Sequence, residues 1–419
     1  MKIIHTADVH LDSRLNRHFD ERRAKERRDE LLITFQGMVQ YGDREGVEAI
    51  LIAGDLFDVA RVSATARGAV LAAMLEHPWI TFYYLRGNHD ADAFLRDVTE
   101  KMGKLPKNLR LFGEEWTSYE QVGSDGSSVV ITGAEANEKN NGGLAASLLL
   151  DQGKVNIVML HGQEVETAGK KDAEVIPIRE YKNRGIDYLA LGHIHAPKLE
   201  RLDARGVYAY SGCLEGRGFD ECGPRGFYLL TVSGKDVRAE FVPFAKRQVW
   251  ELPVELGEAG RLSGGGTDGA FGGETNGAFG GGTDSAFGGS ALGSAGEAFG
   301  GSALGSGDAI SAVREAAAQA GVRECDLVKA VLVGEVPMES EFDLGFIAKS
   351  LEEDFYYVKV VDRTIPKVDY DGFALDASLK GEYVRKIKAA VAEGKLSEED
   401  AAEMIRLGIR LLAGEEKLS

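Results

Sequence analysis

The sequence predicts an α/β protein, and three observations carry that reading. Residues 49–58, AILIAGDLFD, open with five consecutive apolar residues, the signature of a short strand buried on both faces. Gly54 then lets the backbone turn, so that Asp55 stands at the strand's carboxyl end, where open α/β sheets place their ligand sites. Residues 1–250 alternate such strands with helical stretches. The strand ends also resemble one another: each apolar run is followed by Asp, Asn or His, usually beside Gly.

Taken in order, residues 2–6 form a strand followed by Asp8-Val9-His10. Residues 14–28, RLNRHFDERRAKERR, hold seven basic residues against three acidic ones. This stretch reads either as a solvated helix face laced with ion pairs or as a contact surface for phosphates. The next helix, residues 31–41, carries Leu31, Leu32, Phe35, Met38 and Val39 on one side and should pack on the sheet. Residues 80–85 are a strand ending in Gly87-Asn88-His89-Asp90, 155–160 a strand ending in His161-Gly162, and 188–191 a strand ending in Gly192-His193-Ile194-His195. Of the eight histidines, six (His5, His10, His89, His161, His193, His195) lie at or near these strand ends, which chance placement would not produce. Residues 207–211 give another strand, leading into a glycine-rich loop with Cys213, a small packed residue. Residues 226–232 and 237–242 form a closing hairpin around Ser233-Gly234.

Composition breaks near Ser263. Until Gly307 the chain is Gly, Ser, Ala and Thr with a recurring Ala-Phe-Gly-Gly at Phe271, Phe279, Phe287 and Phe299. Such a segment buries too little to offset its ordering entropy and reads as a disordered linker spanning roughly 35–40 Å r.m.s.. Beyond it come a helix (308–320), a strand (327–333), a helix (344–351) and a strand (356–361). Two more helices follow, 378–393 and one opening with the capping-box-like Ser397-Glu398-Glu399-Asp400 and running to about Ala413. The expected domains are residues 1–250, an α/β catalytic domain; 251–307, the linker; 308–370, a small α+β domain; and 371–419, a helical tail suited to packing at home or docking on another chain.

The net charge of −18 argues at first sight against a nucleic-acid partner. Residues 1–250, however, hold 33 Lys and Arg against 37 Asp and Glu, a balance of −4, and several of those acids are candidate metal ligands. Charge therefore neither supports nor excludes DNA. No apolar run approaches a membrane span, and no charged-then-apolar leader opens the chain. Three cysteines without metal-ligand spacing point to a reducing, cytoplasmic compartment.

Two divalent ions a few ångströms apart need about seven ligands and one carboxylate able to bridge them. Asp8, His10, Asp55 and His195 would hold one ion; Asp55, Asn88, His161 and His193 the other. In Asp8-Val9-His10 and His193-Ile194-His195 the spacing of two would, on an extended segment, point both side chains to one side. Mixed imidazole, carboxylate and amide ligation suits manganese, iron or zinc better than calcium or magnesium. His89 would then stabilise transition-state charge or protonate a leaving oxygen, Asp58 would accept a hydrogen bond from His89, and Asp90 would orient the Asn88–His89 turn. Any one strand-end histidine is ordinarily just hydrogen-bonded; five clusters together argue for metal chemistry.

The motifs D-x-H, G-D, G-N-H-D, H-G and G-H-x-H, in this order, resemble those of the calcineurin-like metallophosphoesterases. More narrowly, HTADVHLDS, LIAGDLFD, LRGNHD, LGHIHAPK and the Tyr210-Ser211-Gly212 loop resemble the SbcD/YhaO branch, bacterial relatives of the nuclease subunit of the double-strand-break repair complex. VVDRTIPKVD (360–369) and SLKGEYVRKI (378–387) resemble that branch too, which makes the tail a cap domain and partner-binding end. The resemblance implies a four-layer α/β sandwich, two manganese ions, cleavage of DNA phosphodiesters, a dimer and an SMC-like ATPase partner of the SbcC type. Asp58 stands where archaeal and eukaryotic relatives have a second histidine and bacterial ones often an aspartate. The competing readings are a metallophosphoesterase for a small nucleotide or other phosphodiester, and a metal-free scaffold.

Overall fold

The computed structural model describes residues 1–15, 19–58, 62–90, 93–166, 174–257, 303–337, 340–367, 377–397 and most of 400–408. The chain divides into two compact units, Met1–Glu251 with Cys325–Leu327, and Leu252–Glu324 with Val328–Ser419. The Gly/Ser/Ala repeats and the end of the last expected helix lie outside the described residues.

Among its described residues the first unit contains fourteen strands: β1 Lys2–Thr6, β2 Val47–Ala53, β3 Thr81–Leu85, β4 Leu109–Leu111, β5 Thr117–Val122, β6 Ser128–Gly133, β7 Val155–His161, β8 Gln163–Val165, β9 Val175–Pro177, β10 Tyr188–Gly192, β11 Lys198–Arg201, β12 Val207–Tyr210, β13 Gly226–Ser233 and β14 Asp236–Pro243. Twelve of them form two six-stranded sheets, ordered β14-β13-β1-β2-β3-β4 and β11-β12-β10-β7-β6-β5. β1, β2, β3 and β4 run parallel, as do β6, β7, β10 and β12; antiparallel strands close both edges of the second sheet and the β14 edge of the first, whose other edge is the parallel β4. The inner faces share one apolar core in which Ile3, Leu51 and Tyr83 of the first sheet meet Ile157, Tyr188 and Ala209 of the second. Each fully buried aliphatic side chain there contributes about 1.5–3 kcal/mol. His5 belongs to this core, with Nδ1 2.8 Å from the Tyr188 hydroxyl, and burial drives its pKa down to about 3. It is a neutral core histidine and takes no part in the strand-end cluster.

Helix α1, Glu21–Arg44, buries Leu31, Phe35, Met38 and Val39. Helical residues around Leu144, Leu148, Ile178 and Tyr181 pack with Leu189, Leu191 and Tyr208 of the second sheet. The result is a helix–sheet–sheet–helix sandwich, the four-layer arrangement expected.

α1 begins ten residues earlier than the apolar periodicity indicated. Asp20 caps it by accepting from the Arg23 N–H at 2.9 Å, and the Arg, Lys, Glu and Ala that follow are strong helix formers. Residues 21–28 of the basic stretch are thus helical, and part of the stretch is spent on ion pairs: Arg22–Glu26 at 3.0 Å and Arg23–Asp20 at 3.1 Å. Arg27 turns inward, fully buried, pairing with Glu30 and donating to Glu215 Oε2 (3.2 Å) and the Gly216 carbonyl (2.7 Å).

In the second unit, helix Ser306–Ala320 ends at Gly321, whose φ of 74° suits glycine, and helix Leu344–Leu351 is capped by Asp343. Val249–Glu255, Leu327–Val333 and Tyr357–Asp362 form a three-stranded sheet. Ser378 caps helix Leu379–Ala392, on which Val384 and Ile387 pack with Ala401 and Ile405. Part of the last helix's apolar side therefore packs at home. Among the described residues, no helix is long and apolar enough to cross a membrane.

Candidate metal centre

The parallel strands β1, β2 and β3 end on one edge of the first sheet, β7 and β10 on the matching edge of the second, and their following loops meet. The Asp8 N–H donates to the Gly54 carbonyl (3.1 Å), the His10 N–H to the Asp55 carbonyl (3.0 Å), and the Leu11 N–H to the Leu56 carbonyl (2.9 Å), which zips the β1 loop to the β2 loop. Both Asp8 oxygens accept the His193 N–H, at 2.9 and 3.0 Å, which ties in the β10 loop. Asp55 Oδ1 accepts the His89 N–H at 2.9 Å and so fixes the β3 loop. Glycine is required where these loops touch: a Cβ at Gly54 would collide with the His161 imidazole, and one at Gly87 with the Asp55 carboxylate.

One expectation about local geometry is corrected. Asp8 and His10 do not lie on an extended segment; both have φ of 49°, with Asp55 at 52° and His193 at 102°. Left-handed backbone costs an L-residue about 1–2 kcal/mol, and here the zipper between the loops enforces it. The curled segment, rather than strand alternation, brings both side chains to one place.

Among the described residues three groups of donor atoms result, each with its members within 4.8 Å of one another: Asp8, His10 and His195; Asp8, Asp55 and His161; His10, Asp58 and His89. Nε2 of His10 and Nε2 of His195 face each other at 3.2 Å. His161 Nε2 lies 3.0 Å from Asn88 Oδ1 and 3.4 Å from Asp55 Oδ2, and that same Oδ2 is 3.8 Å from His10 Nε2. Two nitrogens bound to one ion at about 2.1 Å stand roughly 3.0–3.4 Å apart, so the His10–His195 pair has the separation of co-ligands. These carboxylate, imidazole and amide donors fit divalent ions, with Asp8 common to two of the groups. The His193 ring, 5.5 Å from the His161 ring between centroids, is near the second set but outside the three groups.

The electrostatics are those of a cation site. Burial opposes charge on Asp55, yet hydrogen bonding from His161 and the nearby His10 hold its pKa down at about 2. Burial likewise opposes charge on His161, but Asp55 and Asp8 raise its pKa to about 9. Burial lowers His10, and burial with the neighbouring His161 lowers His193. Asp90 is pushed up to about 6, first by burial and then by the Asp55 charge.

Asp90 accepts N–H groups from Leu56 (3.1 Å), Phe57 (2.8 Å) and Gly87 (3.1 Å), and so clamps the β2 loop to the β3 loop. Asp58 Oδ1 is 3.0 Å from Nδ1 of His89, whose ring is half exposed, and Asp58 Oδ2 accepts the Ser13 hydroxyl at 2.6 Å. Four contributors escaped the sequence reading. Glu221 Oε1 is 2.7 Å from His195 Nδ1, Arg217 reaches toward both Glu221 and Asp58, Glu174 accepts from Asn88 Nδ2 at 2.9 Å, and the Ala53 carbonyl sits 2.9 Å from His161 Nδ1. Arg217 lies in the glycine-rich loop after β12, so that loop's composition was a signal. Nothing local marks Glu174 or Glu221.

Residues 1–197, just under half of the chain, match the calcineurin-like phosphoesterase family and form a domain of that kind. Among curated proteins it is similar to the "Uncharacterized metallophosphoesterase YhaO" of Bacillus subtilis (strain 168), 28% identical over 271 residues, covering 63% of this chain and 65% of that one. It is also similar to the "DNA double-strand break repair protein Mre11" of Aeropyrum pernix, 28% identical over 279 residues, covering 62% of this chain and 65% of that one. The matched region thus spans slightly under two thirds of the length of these relatives. Among solved structures, that of the Thermus thermophilus protein TT1561 aligns over 57% of this chain and 98% of its own, at 13% identity and a TM-score of 0.37.

Proposed function

We propose that this chain is a two-metal phosphodiesterase of the SbcD/YhaO type that cuts DNA, acting in DNA repair with an SMC-like ATPase of the SbcC type. The observation that supports it most is the placement of Asp55 Oδ2 between two donor sets, 3.4 Å from His161 Nε2 and 3.8 Å from His10 Nε2. Asp8, His10, Asp55 and His195 would hold one ion, and Asp55, Asn88, His161 and His193 the other. Ions held there, manganese by family resemblance, would supply Lewis acidity and lower the pKa of a bound water toward neutrality.

The chain's own residues do the rest. Asp8 and Asp55 each use carboxylate oxygens to fix the neighbouring loop through His193 and His89 N–H groups, so the donors are pre-set. His89, anchored to Asp58 through Nδ1, keeps Nε2 for a phosphoryl or leaving oxygen. Asp90 holds the Gly87–Asp90 turn. A DNA substrate is favoured by the Mre11 similarity. Residues 308–370 and 371–419 serve as cap and partner-binding end, in a homodimer, and three free thiols fit a cytoplasmic setting.

The test is incubation with manganese and end-labelled linear duplex, with and without a candidate ATPase partner. Manganese-dependent cleavage that Asp55→Ala abolishes is the expected result. Cleavage at the wild-type rate by Asp55→Ala overturns the metal assignment, and turnover of a small diester without any cutting of DNA overturns the substrate.

A further inference from the structure

His195 is gripped from behind by two residues that the function above does not use. Glu221, 3% exposed, brings Oε1 to 2.7 Å from His195 Nδ1. Arg217 holds the same carboxylate: its Nη2 donates to Oε1 at 2.7 Å, its Nε to Oε1 at 3.1 Å, and its backbone N–H to Oε2 at 2.6 Å. Cys213 Sγ, 3.6 Å from Oε2, completes the enclosure.

Arg217 Nη2 is also 3.1 Å from His195 Nδ1, so the two neighbours ask opposite things of that nitrogen. A guanidinium only donates. Were Nδ1 to accept from it, the ring proton would move to Nε2 and point at His10 Nε2, 3.2 Å away. With Nδ1–H donating to Glu221 instead, Nε2 presents a lone pair toward Asp8 and His10. The contact to Glu221 is the shorter and is made to an ionised acceptor, the stronger type of hydrogen bond.

We propose that Glu221 is a positioning residue that selects the Nδ1–H tautomer of His195 and thereby delivers Nε2 to the ion held with Asp8 and His10. Arg217 acts as its clamp, fixing the carboxylate through both oxygens while its Nη1 lies 3.5 Å from Asp58 Oδ2. Carboxylates behind a ligand histidine set its tautomer and ring orientation, and removing one weakens metal affinity about 10–100-fold. The inference rests on the two-metal reading.

Two measurements on the full chain test it. In metal-free wild-type protein labelled at histidine nitrogen, NMR should show His195 protonated at Nδ1; protonation at Nε2 overturns the inference without any variant. Calorimetric manganese titration should find two sites in the wild type, with one weakened about 10–100-fold by Glu221→Gln and Glu221→Ala and the other unchanged. Two sites that both variants leave intact, or weaken equally, overturn this inference alone. A wild type that takes up no manganese instead overturns the two-metal reading beneath it.

Discussion

A pH dependence above neutrality should come from His161. Burial works against its charge, but Asp55 and Asp8 win and set its pKa at about 9, against 6.5 for an ordinary histidine. In the metal-free protein the His161–Asp55 pair therefore adds stability that is fully present below pH 6.5 and is lost as pH climbs through about 9. At 1.36 kcal/mol per pKa unit this amounts to about 3 kcal/mol. A cation bound at His161 Nε2 takes the place of that proton. Between about pH 7 and 8.5 manganese affinity should rise about tenfold per pH unit, with about one proton released per bound pair at about pH 7. His10 and His193, both shifted down, are already neutral there and add nothing to the slope. Calorimetric titration in two buffers of different ionisation enthalpy measures both the affinity and the proton count. An affinity flat across that range, or binding near neutral pH without proton release, would refute the reasoning.

His89→Ala should keep manganese uptake, because its ring serves no ion in the assignment, yet lose about 10²–10⁴-fold in turnover; loss of metal along with activity would move His89 into the ligand set. Arg27→Ala leaves Glu215 buried without its partner and should cost about 3–5 kcal/mol, read as a lower midpoint in chemical denaturation. An unchanged midpoint would mean that Lys246 and Thr34, which also donate to Glu215, suffice without it.

How much of this was legible in the sequence follows from what each signal depends on. Residues 49–53 read as a doubly buried strand because five apolar residues in a row have no alternative in an α/β context, and the strand is Val47–Ala53. The hairpin of β13 and β14 was legible from its Ser-Gly turn. Apolar periodicity marks only residues 31–41 of α1 because its first turns carry no apolar stripe; the solvated-helix reading of the basic stretch holds for residues 21–28, which helix propensity and the Asp20 cap make helical. The convergence of Asp8, His10, Asp55, Asn88, His161 and His195 was foreshadowed by their recurrence at strand ends. Glu174 and Glu221 could not be read, since each acts from a distant stretch of chain on a residue that only the tertiary fold brings near.

The curled ligand segments show why the outer contacts matter as much as the donors. Four candidate ligands, Asp8, His10, Asp55 and His193, sit at positive φ, where a free chain would not hold them. The Asp8 and Asp55 carboxylates, by accepting the His193 and His89 N–H groups, resist relaxation to extended backbone only in part. What further opposes it is the loop-to-loop zipper at Gly54, Asp55 and Leu56, and Asp90, which takes three N–H groups from the Leu56–Phe57 and Gly87 segments. These bonds join loops from different strands, so the strain at any one ligand is resisted by the rigidity of the sheets rather than by its own neighbours. A site built this way stays assembled before an ion arrives, and the cost of gathering the carboxylates is met during folding instead of at binding.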